Sequence, residues 1–453
     1  MKTILIIGAG KSTSALIDYL GNQAIQNNWK IVVADKETAH LEAITNDRIS
    51  VTGFDVKDDL CRENEIKNAD LVISMMPVRF HKFVAQSCLK YAKNLLTASY
   101  EPADWKDIEP ELTKKGILFL SEMGVDPGLD HMSAMQIIDR LKKQRHELLC
   151  FETFTGGLVA PESDDNPWHY KFSWNPRNVV LAGQDGPARF RQEGKYKYIP
   201  YNRLFRRTEL IEIEGFGKFE GYANRDSLKY IDKYNLHEIP TIYRGTLRRP
   251  GFCRAWNVFV QLGATDDSYF LEDVEKMTYR DFINSFLYYH KSDSVETKLY
   301  HSMHIDQDSD IIEKLEWMGI FEDKPIGLKK ATPAQVMEHL LKQKWQLQPH
   351  DKDMTVMWHK FIYADGETGQ PVKLTSSMAV TGEDAHKTAM AKTVGLPLGI
   401  AADLVLSGRI NLTGLQIPTI PEIYNPVLEK LKQFDITFSE KYHSPHTDNW
   451  RFH

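Results

Sequence analysis

Cysteine is scarce in this chain: Cys61, Cys88, Cys150 and Cys253 are the only four among 453 residues, widely dispersed and without a CxxC pair. That excludes a disulfide-stapled scaffold and the paired-thiolate motifs, and it leads to the expectation of reduced thiols in a cytoplasmic protein. A surplus of positive charge is also missing. The 56 Lys and Arg against 62 Asp and Glu leave a formal charge of -6, which offers no global attraction to nucleic acid or to an anionic membrane. Any anion recognition must be local, and the expected partner is a small molecule. No window is expected to approach the roughly 18 apolar residues of a membrane span, and the apolar run at 3–7 is too short for a signal peptide. No metal is expected, because His301 and His304 have no carboxylate or cysteine pattern to complete a zinc set. GxSxG and catalytic-cysteine contexts are absent as well.

What is present begins with residues 3–7, a β-branched apolar run of the kind buried on both faces of a parallel sheet. Gly8-Ala9-Gly10 follows at once, and then Leu16, Ile17 and Leu20 at helical spacing. Strand, glycine turn and helix in this order suit a dinucleotide: the first glycine allows the turn, the second lets backbone approach the pyrophosphate, and the helix N-terminus receives it. Thr13 stands where the third glycine of the fingerprint belongs. Gly10-Lys11-Ser12 imitates a phosphate loop, but Leu5 occupies the position where that motif requires glycine, which excludes a nucleoside triphosphatase. The next strand, 30–34, ends in Asp35, placed to bind the adenosine ribose or, alternatively, to act as a turn carboxylate. Asp35 should repel a ribose 2'-phosphate while Lys36 could partly accommodate one, so NAD is expected, with NADP as the alternative. Gly8, Gly10, Lys11, Ser12, Thr13, Asp35, Ser74 and Pro77 are the expected cofactor contacts. Alternation continuing through 50–53, 71–75, 95–98 and 117–120 predicts a doubly wound α/β sheet.

Residues 156–174, GGLVAPESDDNPWHYKFSW, combine helix-breaking prolines with three carboxylates, a lysine and the aromatics Trp168, Tyr170, Phe172 and Trp174. This composition reads as a binding loop, with a well-packed structural loop as the alternative. At these residues the chain resembles the saccharopine dehydrogenases of the glutamate-forming type. The family segment GGLPAPE…DNPLxYKFSW returns with Val159 for proline, Trp168-His169 for Leu-Gly or Leu-Arg, and Thr155 for a common cysteine. The blocks NRDS at 224–227, RGTL at 244–247, GVDPGLDH at 124–131 and TVGLPLGIAA at 393–402 extend the resemblance over nearly the whole chain.

The resemblance implies a discontinuous Rossmann-like dinucleotide domain (1–125 plus 390–453), a mixed α/β substrate and dimerisation domain (126–270 plus 346–389) and a small helical subdomain (271–345). It implies a homodimer and interconversion of saccharopine with glutamate and 2-aminoadipate 6-semialdehyde. Tyr100 and Asp126 are the implied reaction-zone residues, although Asp126 alone also reads as a turn-stabilising side chain. His131 reads as a structural hydrogen-bonder. Saccharopine carries three carboxylates, so its site must concentrate positive charge, and arginine grips carboxylates in bidentate fashion. Arg225, Arg244 and Lys171 are the implied clamps, accompanied by Ser99, Gly156, Gly157, Ser173 and Thr246. The rival readings are a related imine reductase, such as a carboxynorspermidine or lysine-epsilon dehydrogenase, and a non-enzymatic dinucleotide sensor.

Overall fold

The computed structural model describes residues 1–306 and 309–443. They divide into two compact units, one formed by 1–147, 365–369 and 380–440, the other by 148–364 and 370–379 with the last described residues from 441.

The first unit is built on six strands whose β-branched, apolar sequences bury both faces: β1 (Lys2–Ile7), β2 (Trp29–Asp35), β3 (Ile49–Gly53), β4 (Leu71–Ser74), β5 (Asn94–Thr97) and β6 (Leu118–Leu120). All pair in parallel in the order β3-β2-β1-β4-β5-β6, with the late strand Gly414–Gln416 beyond β6. The order reverses direction between β1 and β4. A ligand crevice opens at such a switch point, outside the strands' carboxyl ends.

The chain returns to this unit through the helix Ala389–Leu406, whose Gly395 and Gly399 lie directly against Leu16 and Tyr19 of the first helix, Ser14–Asn27. This helix corrects one expectation. Its 18 residues have a mean hydropathy of 1.5, long and apolar enough to cross a membrane, yet 78% of that window is buried inside the fold, and packing on the cofactor unit accounts for its composition. The boundary also moves. The helix Leu129–Lys143, expected in the substrate domain, belongs to the cofactor unit, where Tyr424 of the helix Pro421–Leu431 donates to Asp139 at 2.6 Å. Residues 444–453, expected in the cofactor domain, lie outside the described residues.

The second unit holds a mixed sheet. Its strands are β7 (Glu147–Val159), β8 (Ala188–Gln192), β9 (Lys195–Ile199), β10 (Thr208–Ile213), β11 (Gly217–Ala223), β12 (Thr241–Arg248), β13 (Asp353–Ala364) and β14 (Pro371–Thr381). The order is β10-β11-β12-β7-β13-β14, with the β8-β9 hairpin attached to β12 and the strand Ser439–His443 beside β14. β13 and β14 are neighbours joined through a short turn that begins with Asp365-Gly366. The helices Tyr279–Asn284, Val295–Met303, Asp310–Met318 and Pro333–Lys344 do not form a core of their own. Phe282, Leu299, Leu315 and Leu340 join the same buried cluster as Phe154 and Trp256 of this unit. The last of these helices opens on Thr332 as its cap and Pro333 in its first turn, with a capping box between Thr332 and Gln335.

Candidate active site

In the cofactor unit the glycine turn is drawn tight against two strands. Gly8 has φ +95° and donates to the Ala34 carbonyl at 2.9 Å. A Cβ at Gly8 would come within 3.2 Å of the Met75 backbone and 3.3 Å of Met76 Sδ, so only glycine turns here without strain. Around Gly10, by contrast, nothing lies within 4 Å of where a Cβ would be. The chain then forms a short turn, Lys11–Thr13, and enters the first helix, whose opening amides have no side-chain cap. Open space over a glycine beside an uncapped helix N-terminus is what a pyrophosphate needs. Thr13 is buried and fills the third-glycine position without breaking the helix–strand packing.

Asp35 serves the same turn. Its Oδ2 accepts from Ala9 N at 2.7 Å and its Oδ1 from Glu37 N at 3.0 Å, so the carboxylate is fixed at the end of β2 against the glycine loop. Each oxygen retains acceptor capacity for a ribose hydroxyl. Ser74 is a different matter. Its side chain is fully buried and faces His81 Nδ1 at 3.0 Å, while burial pushes that imidazole down to about 4 and keeps it neutral. The Ser74 hydroxyl is thus turned inward, which leaves the backbone at 74–77, expected to line the cofactor crevice, as what this stretch can offer; the exposed Pro77 precedes the helix Val78–Lys90.

Tyr100 and Asp126 come together in this unit: the phenol donates to Asp126 Oδ1 at 3.3 Å. Ser99 lies beside them, its N–H bound to Thr97 Oγ1 at 3.2 Å and its carbonyl accepting from Glu122 N at 2.9 Å. His131 is fully buried, with Nε2 at 2.7 Å from Glu122 Oε2, as the structural reading of that residue expects. Glu122 itself escaped the sequence reading. The signal it carries there is slight, an acidic residue two positions past the carboxyl end of an apolar strand.

In the substrate unit the two arginine-bearing blocks join. Asn224 N donates to the Arg244 carbonyl at 2.8 Å, and Arg244 N donates to Ser227 Oγ at 2.9 Å, which pins the 224–227 turn onto β12. Arg225 has a left-handed backbone, φ +54°, and its side chain is half exposed, with Asp185 Oδ2 3.6 Å away. Arg244 is buried, its guanidinium 4.1 Å from the centre of the Tyr230 ring. Thr246, on the same strand, takes the hydroxyl of buried Tyr222 as its side-chain partner.

Three expectations from the 156–174 segment change. Gly156 lies within β7, where a Cβ would stand 2.9 Å from both Cβ and O of Leu247; it is glycine because β12 crosses closely, not because a ligand does. Gly157 follows in the same strand and is half-buried. The aromatics are core: Trp168 and Tyr170 are fully buried, and Trp168 donates through Nε1 to the Lys314 carbonyl at 2.8 Å. Lys171 is buried between Asp165 at 2.7 Å and Asp351 at 2.8 Å. Burial pulls its pKa down, but the hydrogen bonds to those two carboxylates outweigh it and hold the ammonium above its usual range. A cation so engaged is a loop staple rather than an available clamp. Ser173 is different, since its buried Oγ has no hydrogen-bond partner among the described residues.

The staple has a measurable consequence. Lys171→Met is expected to lower stability by about 1–3 kcal/mol, because two carboxylates lose their shared cation, one of them exposed enough for water to compensate. Denaturant melts read that loss, and a cation that only staples the loop should leave the KM for the expected substrate within about twofold of wild type. A large rise in KM at unchanged stability would restore Lys171 to the substrate site.

The strand order, the glycine turn and the carboxylate ending β2 define a dinucleotide-binding α/β protein. The family model "Saccharopine dehydrogenase NADP binding domain" matches residues 4–120, and "Saccharopine dehydrogenase C-terminal domain" matches 124–436. The chain belongs to the saccharopine dehydrogenase family. It is 32% identical to saccharopine dehydrogenase [NADP(+), L-glutamate-forming] of Saccharomyces cerevisiae, covering 97% of this chain and 99% of that one. It is also 32% identical to the mitochondrial alpha-aminoadipic semialdehyde synthase of Rattus norvegicus over 97% of this chain; there it spans about half of the relative, 47%. The solved apo saccharopine dehydrogenase (L-Glu forming) from Saccharomyces cerevisiae superposes with a TM-score of 0.88 at 30% identity, covering 98% of this chain and 100% of that one.

Proposed function

We propose that this chain interconverts saccharopine with L-glutamate and 2-aminoadipate 6-semialdehyde, using a nicotinamide dinucleotide. The observation that carries the reading is the hydrogen-bonded union of NRDS and RGTL, which brings Arg225 and Arg244 onto one turn and strand, in a chain whose other unit offers a dinucleotide turn. Full-length similarity to the yeast enzyme supports it. The net reaction removes a hydride from the lysine-derived ε carbon of saccharopine and leaves an imine, which water splits into amine and aldehyde. The dinucleotide, when bound, supplies the hydride acceptor.

The protein's own residues have narrower tasks. Backbone amides at Gly10–Thr13 hold the pyrophosphate, and Asp35 holds the adenosine ribose. Arg225 and Arg244 neutralise substrate carboxylates. Tyr100 and Asp126 offer a phenol and a carboxylate oxygen for the proton that the bridging nitrogen must lose and regain. A sensor that binds dinucleotide without turnover has no use for the paired arginines, which favours the enzyme.

Relatives are named for NADP(+), but the carboxylate fixed beside the glycine loop favours NAD here. A 2'-phosphate at the end of β2 would set like charges together in a partly desolvated place. The expected result is a higher kcat/KM with NAD than with NADP. Asp35→Ser should shift the ratio toward NADP by roughly tenfold or more, about 1.4 kcal/mol, while a hydroxyl still accepts from Ala9 N. Equal efficiency in the wild type and an unmoved ratio in the variant would make Asp35 only a cap for the turn.

A further inference from the structure

Behind Tyr100 and Asp126 lies a buried set of ionisable groups for which the reaction itself gives no task. Glu122, Asp130 and His131 are each at most 1% exposed. Glu122 has φ +59°, an uncommon conformation for a residue other than glycine. Its N–H donates to the Ser99 carbonyl at 2.9 Å and its Oε1 accepts from Glu101 N at 3.2 Å, so backbone and side chain together grip the segment that carries Tyr100. Asp130 grips the other segment: its Oδ1 accepts from Gly128 N at 2.6 Å, and its N–H donates to the Val125 carbonyl at 3.1 Å, on either side of Asp126. Between the two carboxylates stands His131, with Nε2 at 2.7 Å from Glu122 Oε2 and Nδ1 at 3.6 Å from Asp130 Oδ2. The short contact is a hydrogen bond that ties the ring to the carboxylate. Carboxylates are costly to bury without donors, so this arrangement persists because the surrounding loops supply them.

We propose that Glu122 and His131 are positioning residues that lock the Tyr100 segment to the Asp126 loop, so that phenol and carboxylate meet the substrate nitrogen as one unit. This rests on the reading of Tyr100 and Asp126 as the reaction-zone residues. The lock acts on the proton-handling step and not on substrate affinity. Its loss therefore reduces kcat while KM for saccharopine stays put.

The test is steady-state kinetics of the full chain with Glu122→Gln, His131→Ala, His131→Gln, Tyr100→Phe, Asp126→Asn and the double variant Glu122→Gln/Asp126→Asn, with thermal melts beside them. The expected result is a fall in kcat of about tenfold or more for Glu122→Gln and His131→Ala, with KM within about twofold. His131→Gln, whose amide still donates toward Glu122, should recover part of the loss. The double variant should be no slower than Asp126→Asn alone, because the lock serves to join phenol and carboxylate and one of the two is already lost. Additive losses, or melting points that fall with kcat intact, overturn the proposal while leaving the reaction-zone reading in place. Unchanged kcat in both Tyr100→Phe and Asp126→Asn removes that reading and the lock with it. If Glu122→Gln does not fold, the comparison of His131→Gln with His131→Ala decides alone: recovery of kcat supports the lock, and equal kcat overturns it.

Discussion

Arg225→Ala is expected to lower kcat/KM for saccharopine by at least roughly tenfold and to leave dinucleotide binding almost unchanged. A guanidinium that clamps a desolvated carboxylate is worth about 2–5 kcal/mol when it is truncated, so tenfold, about 1.4 kcal/mol, is a conservative floor. The Arg225 side chain is half exposed, and Asp185, itself exposed, is 3.6 Å away, beyond good hydrogen-bonding distance. A surface arginine of this kind ordinarily changes stability by less than about 0.5 kcal/mol on truncation. The melting point should therefore hold while the kinetics fall. Arg244→Ala separates the two effects: it removes a buried guanidinium stacked on Tyr230, so stability and efficiency should drop together. Unchanged kcat/KM in both variants would remove the carboxylate-clamp assignment and leave only the dinucleotide half of the account.

Trp168→Ala is expected to be the most destabilising single change in the 156–174 segment, at about 3–5 kcal/mol. The indole stacks on Phe259 at 6.0 Å between ring centres and meets Trp345 at 5.4 Å and Phe252 at 5.6 Å edge-on. Truncation opens a cavity among these rings and also strips the Lys314 carbonyl of its indole donor. Set against a total stability of about 5–15 kcal/mol for a typical domain, the loss removes a large share of the margin that keeps the chain folded. Trp168→Phe keeps most of the apolar volume and gives up chiefly the hydrogen bond, so about 1–2 kcal/mol should be lost, with kcat/KM per folded molecule within about twofold. Denaturant melts of both variants check the order. A stable Trp168→Ala protein with impaired kinetics would mean that the indole serves the ligand instead of the core.

The cofactor half was largely legible in the sequence because its signals are local. Buried parallel strands show as short β-branched runs, and β1 to β6 lie where those runs are. The glycine turn and Asp35 are within one strand–turn–helix–strand unit, so their meeting at 2.7 Å follows from spacing. Signals failed where the partner is distant in the chain. Lys171 looked like an available cation because Asp351, which captures it, lies 180 positions away. Gly156 looked like a ligand contact because nothing in its neighbourhood announces Leu247. Trp168 and Tyr170 looked like a binding surface because the rings that cover them come from Phe252, Trp256 and Trp345. Glu122 and His131 are nine apart across a loop, a spacing that belongs to neither helix nor strand.

The most direct measurement is a cofactor-reduction assay of the purified chain with saccharopine, run separately with NAD and with NADP, with glutamate assayed in the product. The account predicts reduction that depends on saccharopine, one glutamate for each dinucleotide reduced, and greater efficiency with NAD. Dinucleotide binding without saccharopine-dependent reduction by either cofactor would contradict it and favour the sensor. Reduction only with a different amino-acid adduct would assign the chain to a related imine reductase.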